Sequence, residues 1–105
     1  MNTVALTGLV ASSPAHHFSG FMHRTEFDIT VTTARREYTF HVSALNELAK
    51  AARRLEVGDR VEITGYLHSE PFDMPDRTVW HRVEIVAYEI DRQPADGRAP
   101  AGALL

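Results

Sequence analysis

Leu45–Leu67 reads LNELAKAARRLEVGDRVEITGYL, and its two halves follow different periods. In the first half Leu45, Leu48, Ala49, Ala52 and Leu55 recur at the spacing that puts side chains on one face of a helix. Ser43 offers an N-cap hydroxyl, and Glu47 stands in the first turn, where the helix dipole favours an anion. Lys50, Arg53 and Arg54 crowd the other end, where cations are favoured; they read as helix residues before they read as ligands. Gly58 then supplies a residue at ease in left-handed backbone, and Asp59 completes a turn. In the second half Val61, Ile63, Gly65 and Leu67 alternate with Glu62, Thr64, Tyr66 and His68, the pattern of a strand with one buried and one wet face. The spacing predicts a helix over Ser43 to Leu55 that passes through a glycine turn into a strand.

Alternation extends on both sides of this stretch. Val4, Leu6, Gly8 and Val10 share one face of a first strand. Phe27, Ile29 and Val31 alternate with Glu26, Asp28, Thr30 and Thr32 in a second, and Tyr38, Phe40 and Val42 alternate with Thr39 and His41 in a third. A last run spans Val79 to Ile90. Its Val83, Ile85 and Ala87 share a face, and Ile90 falls out of phase, so a β-bulge is expected near Tyr88. Three strands, a helix and two more strands form the order of a mainly β, five-stranded Greek-key OB barrel, with the helix between the third and fourth strands. Gly8 and Gly65 suit the strongly bent strands of such a barrel. From Gln93 onward the sequence lacks any period and is rich in Ala, Pro and Gly. The expected organisation is a domain over 1–92 and a flexible tail over 93–105.

Composition narrows the function classes. The 105 residues suffice for one domain, and 44% hydrophobic residues can fill a core. With no cysteine there is no disulfide framework, thiol chemistry or cysteine zinc site. No run approaches the length of a membrane span, so no membrane partner and a cytoplasmic setting are expected. Eleven Lys and Arg face fourteen Asp and Glu, so any surface for a polyanion must be a local patch on an acidic body. His16, His17 and His23 read as a surface loop after the first strand, because nothing there fixes the geometry that zinc needs. Asp73 and Asp76 fit turn chemistry. No triad order, P-loop or G-x-G-x-x-G is present, and no enzyme activity, cofactor or metal is expected.

Three blocks carry a resemblance. MNTVALTGLVASSP over 1–14, the helix and strand of 45–67, and TVWHRVEIVAYEID over 78–91 are similar to the bacterial single-stranded DNA-binding proteins. The blocks extend from residue 1 to about 92, and the most specific is the helix followed by VGDRVEITGYL. The chain looks like a reduced or divergent member. Thr39 and Leu45 stand where the family carries aromatics, Thr33–Glu37 replaces a long loop, and Gly102, Ala103, Leu104 and Leu105 replace an acidic tip ending in Phe. The resemblance implies binding of single-stranded DNA with little sequence preference, in replication, recombination or repair. It also implies a homo-oligomer, dimer or tetramer, and contacts with replication or recombination proteins.

Such binding needs exposed aromatic faces for bases and cations for the backbone. The resemblance puts Phe72 at a stacking position, and Tyr66 and Trp80 lie out of phase with the core residues of their strands. Arg35 and Arg36 at a hairpin tip, with Arg77 and Arg82 beside the last hairpin, are the candidate phosphate contacts. Tyr66 and Trp80 would equally suit an oligomer interface, and the Arg35–Arg36 pair would equally suit a solvated turn. The alternative function is an OB-fold protein-interaction module of a replication or primosome-type complex, with weak or no DNA binding. The acidic balance and the two missing aromatics favour that alternative.

Overall fold

The computed structural model describes residues 1–93 and the backbone of 102–103. The elements are β1 (Val4–Val10), β2 (Ala15–Ser19), β3 (Met22–Thr32), β4 (Glu37–Leu45), α1 (Asn46–Ala52), β5 (Arg60–Asp73), β6 (Val79–Gln93) and β7 (Gly102–Ala103). β1, β5, β6, β4 and β3 pair in that order. Leu9 and Val10 of β1 then meet Thr30 and Ile29 of β3, which closes the ring. All pairings are antiparallel except β4 with β6, which run parallel. This is the expected five-stranded OB barrel, with its helix between the third and fourth barrel strands. β2 adds a hairpin to β3, and β7 pairs with Asp91 and Arg92 of β6. The rest of the expected tail, 94–101 and 104–105, lies outside the described residues.

Most of the alternating residues face inward, whereas Tyr38, which alternation placed with Phe40 and Val42, is exposed at the start of β4. Val10, Phe27, Ile29, Val42, Val61, Ile63, Ile85 and Ile90 are each at most 1% exposed. Leu48 and Ala52 of α1, with Leu55 beyond it, join the same core. The bulge falls where phase required it: Thr64 pairs with Glu89 and Gly65 with Ala87, so Tyr88 is the extra residue and Ile90 returns inward. Gly8 and Gly65 sit where strands approach closely. A Cβ on Gly8 would lie 2.6 Å from the Thr30 carbonyl oxygen, and one on Gly65 would collide with that of Val86. Gly58 takes φ 95°, the left-handed turn expected there. Asp59 beside it is fully buried, and its Oδ2 accepts from the Glu56 backbone N–H and from Arg92 Nε, both at 2.9 Å.

Three expectations need correction. The helix begins at Asn46, not Ser43: Leu45 is its N-cap without a side-chain hydrogen bond, and Asn46 has φ 55°. Ser43 is instead a buried residue of β4 whose hydroxyl donates to Glu84. The histidines after β1 are not a loop: His16 and His17 lie on β2, and His23 lies on β3. Leu67 and Val83 are exposed despite sharing phase with Ile63 and Ile85, because they line an open cavity with Phe40 instead of packing into the closed core.

Candidate nucleic-acid interface

β5 and β6 remain paired out to Asp73 and Val79, forming a two-stranded arm. Side chains alternate across it, so register fixes its two faces. Tyr66, His68, Glu70 and Phe72 on β5 lie opposite Val86, Glu84, Arg82 and Trp80 on β6. One face of the arm therefore carries all three sequence-predicted aromatics and Arg82. Tyr66 is 39%, Phe72 41% and Trp80 58% exposed. Phe72 and Trp80 are direct cross-strand partners, and the Arg82 guanidinium carbon sits 5.8 Å from the Phe72 ring centroid. Trp80 Nε1 donates to Thr78 Oγ1 at 3.2 Å, which steadies the indole against the turn.

The turn at the arm's tip is built by Asp76. Its Oδ1 accepts from the Thr78 N–H at 3.0 Å and from the Thr78 hydroxyl at 2.6 Å, and these bonds lower the Asp76 pKa. Arg77 occupies the left-handed position of this turn, φ 71°. Arg35 and Arg36 are exposed at the β3–β4 tip, where the Thr33 N–H donates to the Arg36 carbonyl at 2.8 Å. Because β4 and β6 are parallel and each starts from its own hairpin tip, both tips point to the same end of the barrel. Four of the predicted site residues thus share the arm's face, and Arg35, Arg36 and Arg77 lie at the tips.

Where the arm leaves the barrel, its aromatic face runs into a polar cleft of about 300 Å³ lined by His17, Arg24, Glu26, His68, Glu70, Arg82 and Glu84. Arg24 is the cation at its floor: one terminal nitrogen donates to both oxygens of Glu84, at 3.1 and 2.9 Å, and lies 3.3 Å from Glu26. The Ser43 hydroxyl donates to Glu84 Oε2 at 2.7 Å. His41 is held between two carboxylates, with Nδ1 at 2.9 Å from Asp28 and Nε2 at 3.0 Å from Glu26. Partial burial opposes a charge on His41, but the hydrogen bonds and charges of Glu26 and Asp28 prevail and raise its pKa. Burial likewise works against the Glu26 carboxylate, and His41, Arg24 and His17 outweigh it and lower its pKa. Donor atoms of Glu26, His41 and Glu84 lie within 4.8 Å of one another. The guanidinium of Arg24 already supplies the positive charge that this cluster needs.

None of this network was legible as a site. It joins residues up to sixty positions apart, Arg24 to Glu84, through the β3–β4 and β4–β6 pairings. The β2–β3 hairpin also went unrecognised, and with it the exposed Phe18, Phe21 and Met22 around Gly20. Gly20, which takes φ 59° at the hairpin turn, was the one available signal. On the hairpin face opposite His17 and Arg24, which also carries Phe18, His16 Nδ1 lies 2.8 Å from Thr25 Oγ1, whose hydroxyl donates to the Ala49 carbonyl. His16 Nε2 lies 3.1 Å from His23 Nδ1. Desolvation, then the charges of His23, Arg53 and His17, lower the His16 pKa.

No protein-family model and no curated protein matches the sequence. Solved structures do. A small single-stranded DNA-binding protein from Streptomyces coelicolor superposes with a TM-score of 0.75 at 25% identity, over 90% of this chain and 96% of that one. A mitochondrial single-stranded DNA-binding protein from S. cerevisiae gives a TM-score of 0.72 at 14% identity, over 84% of this chain and 90% of that one.

Proposed function

Starting from an OB-fold protein of the single-stranded DNA-binding type, we propose that this chain binds single-stranded DNA with little sequence preference and acts as a binding protein in replication, recombination or repair. The observation that carries the reading is the arm: Tyr66, Phe72, Trp80 and Arg82 share one exposed face that leads into the cleft. OB barrels bind oligonucleotides across the face of their second and third strands and with the loops beside it. Here that face belongs to β3 and β4, and the arm stands next to it. Bases would stack on Phe72, Trp80 and Tyr66, and Arg35, Arg36, Arg77 and Arg82 would contact phosphates. Titration of Phe72→Ala against a 35-base oligo-dT (an assay length of about two to eight single-barrel sites) tests this. The variant should fold normally and lose about 1–3 kcal/mol, roughly five- to 150-fold in affinity. Unchanged affinity in a folded variant would remove Phe72 from the site.

A second reading has its own observation. The centre of the groove carries Glu26, Glu70 and Glu84, which suit a basic partner protein better than a phosphate backbone. A replication or recombination protein docked in the groove would then be the ligand, with DNA bound weakly or not at all. Oligomerisation belongs to either reading. β3 meets β1 only at Leu9 and Val10, so the earlier part of β1 has a free edge among the described strands, and Leu9 is exposed beside it. A dimer or tetramer is the expected state in solution, checked by light scattering. Among the described residues no helix is long and apolar enough to cross a membrane, and a cytoplasmic setting is part of the proposal.

A further inference from the structure

We infer that His17 and His68 are phosphate-binding residues of the groove and hold the DNA backbone as imidazolium ions, so that binding takes up protons. The inference rests on the DNA-binding reading of the same groove. Its basis is the make-up of the cleft. Two guanidinium groups, Arg24 and Arg82, face three carboxylates, Glu26, Glu70 and Glu84. With neutral imidazoles the lining carries a balance of −1, and with His17 and His68 protonated the balance is +1. A cleft that repels a phosphodiester in one state attracts it in the other.

The geometry suits this role. His17 and His68 come from opposite walls, β2 and β5, and their side chains are 59% and 41% exposed, so each can reach a ligand. Each already aims Nε2 at a carboxylate: His17 at Glu26 Oε2, 3.3 Å away, and His68 at Glu70 Oε1, 2.9 Å away. A phosphate oxygen can take the place of the carboxylate oxygen as acceptor, with the same nitrogen donating. The other charged groups around His17 are Arg24, its cross-strand partner, His16 on the same strand, and His41 of β4, which shares Glu26 with it. Those around His68 are Glu84 across the arm, with Arg82 and Arg24 acting on the same Glu70. Arg24 is committed to Glu84 and Glu26, which leaves Arg82 and the two imidazoles as the cations in the cleft able to turn to a backbone. Histidine is the side chain whose charge can change near neutrality, so pH is the variable that tests a cleft whose sign depends on two of them.

The test is an equilibrium titration of the full chain with oligo-dT, whose bases carry no group that titrates near neutrality, at fixed ionic strength. Wild type, His17→Gln/His68→Gln and Glu70→Gln are compared, each first shown to be folded by its circular dichroism. Wild-type affinity should fall by about tenfold or more between about pH 6 and pH 8, since two linked protons allow up to about a hundredfold per pH unit. The double variant should lose most of this pH dependence and bind near the weaker alkaline level, the remainder belonging to His41 on Glu26 and Asp28. Glu70→Gln should bind more tightly than wild type at about pH 8, because one repelling carboxylate is gone. Wild-type binding that is flat with pH, or a pH profile undiminished in the double variant, overturns the assignment while leaving DNA binding intact. No binding by wild type at any pH would remove both the assignment and the function it rests on.

Discussion

Replacing Arg24 by Met should destabilise the protein far more than replacing Glu84 by Gln, although each change breaks the same ion pair. The reason is the unequal burial of the partners. The Glu84 side chain is 6% exposed, and that of Arg24 is 34% exposed. Without Arg24, the Glu84 carboxylate loses one donor nitrogen, 3.1 and 2.9 Å from its two oxygens, and keeps the Ser43 hydroxyl at 2.7 Å. Leaving a buried charge unpaired costs about 3–5 kcal/mol. The surviving Ser43 bond and the water that can enter through the position Arg24 vacates bring the expected cost to about 2–4 kcal/mol. In Glu84→Gln, Arg24 keeps Glu26 at 3.3 Å and can turn toward solvent, so the loss should be near 1 kcal/mol. Combining Arg24→Met with Glu84→Gln should recover part of the larger loss, because no buried charge remains. Urea unfolding of the three variants, read as midpoints at constant slope, measures all of these terms. A Glu84→Gln cost equal to or above that of Arg24→Met would refute the reasoning, as would a double variant no more stable than Arg24→Met alone.

Gly65→Ala should cost at least about 3 kcal/mol, the upper part of the overpacking range, because the obstacle is the Val86 backbone and not a movable side chain; a thermal melt close to wild type would contradict the close approach of β5 and β6. The pairing of His41 contributes stability below its unfolded pKa, and this contribution is lost as pH rises through the raised folded value. His41→Gln should therefore be most destabilising at mildly acidic pH and converge on wild type toward about pH 9, read from melting temperatures across that range. Arg35→Ala/Arg36→Ala should lower the salt dependence of oligo-dT binding by up to about 1.4 in log–log slope, the value for two single-strand phosphate contacts. Measured affinities across a salt series give that slope directly.

The barrel was legible wherever burial is one-sided. Strands β1, β3, β4, β5 and β6 each put one alternating set inside, and the single lost beat at Ile90 located the bulge at Tyr88. Reading failed where local chemistry had two uses. Ser43 has the side chain of an N-cap, but the parallel β4–β6 pairing brings Glu84 to it, and a buried carboxylate needs that hydroxyl more than a helix end does. The β2 segment AHHFS has too few apolar residues to reveal a period, and its pairing with β3 is made by the backbone. Leu67 and Val83 follow the correct period but line an open cavity with Phe40, which the period alone does not reveal. The proposed binding face of the arm was readable because parity along each strand, with the hairpin register, places Tyr66, Phe72, Trp80 and Arg82 together. The cleft was not, because Arg24, Ser43 and Glu84 meet only after three strands have been ordered side by side.

The central claim is that the arm and the adjoining β3–β4 face form a groove for single-stranded DNA. Its most direct test is a salt-dependent titration of the wild-type chain with oligo-dT. The account predicts measurable binding at low salt that is lost above about 100–200 mM, as phosphate contacts on an acidic body require. Absence of binding at low salt, with the protein folded and in its native oligomeric state, would contradict it and transfer the groove to a basic protein partner.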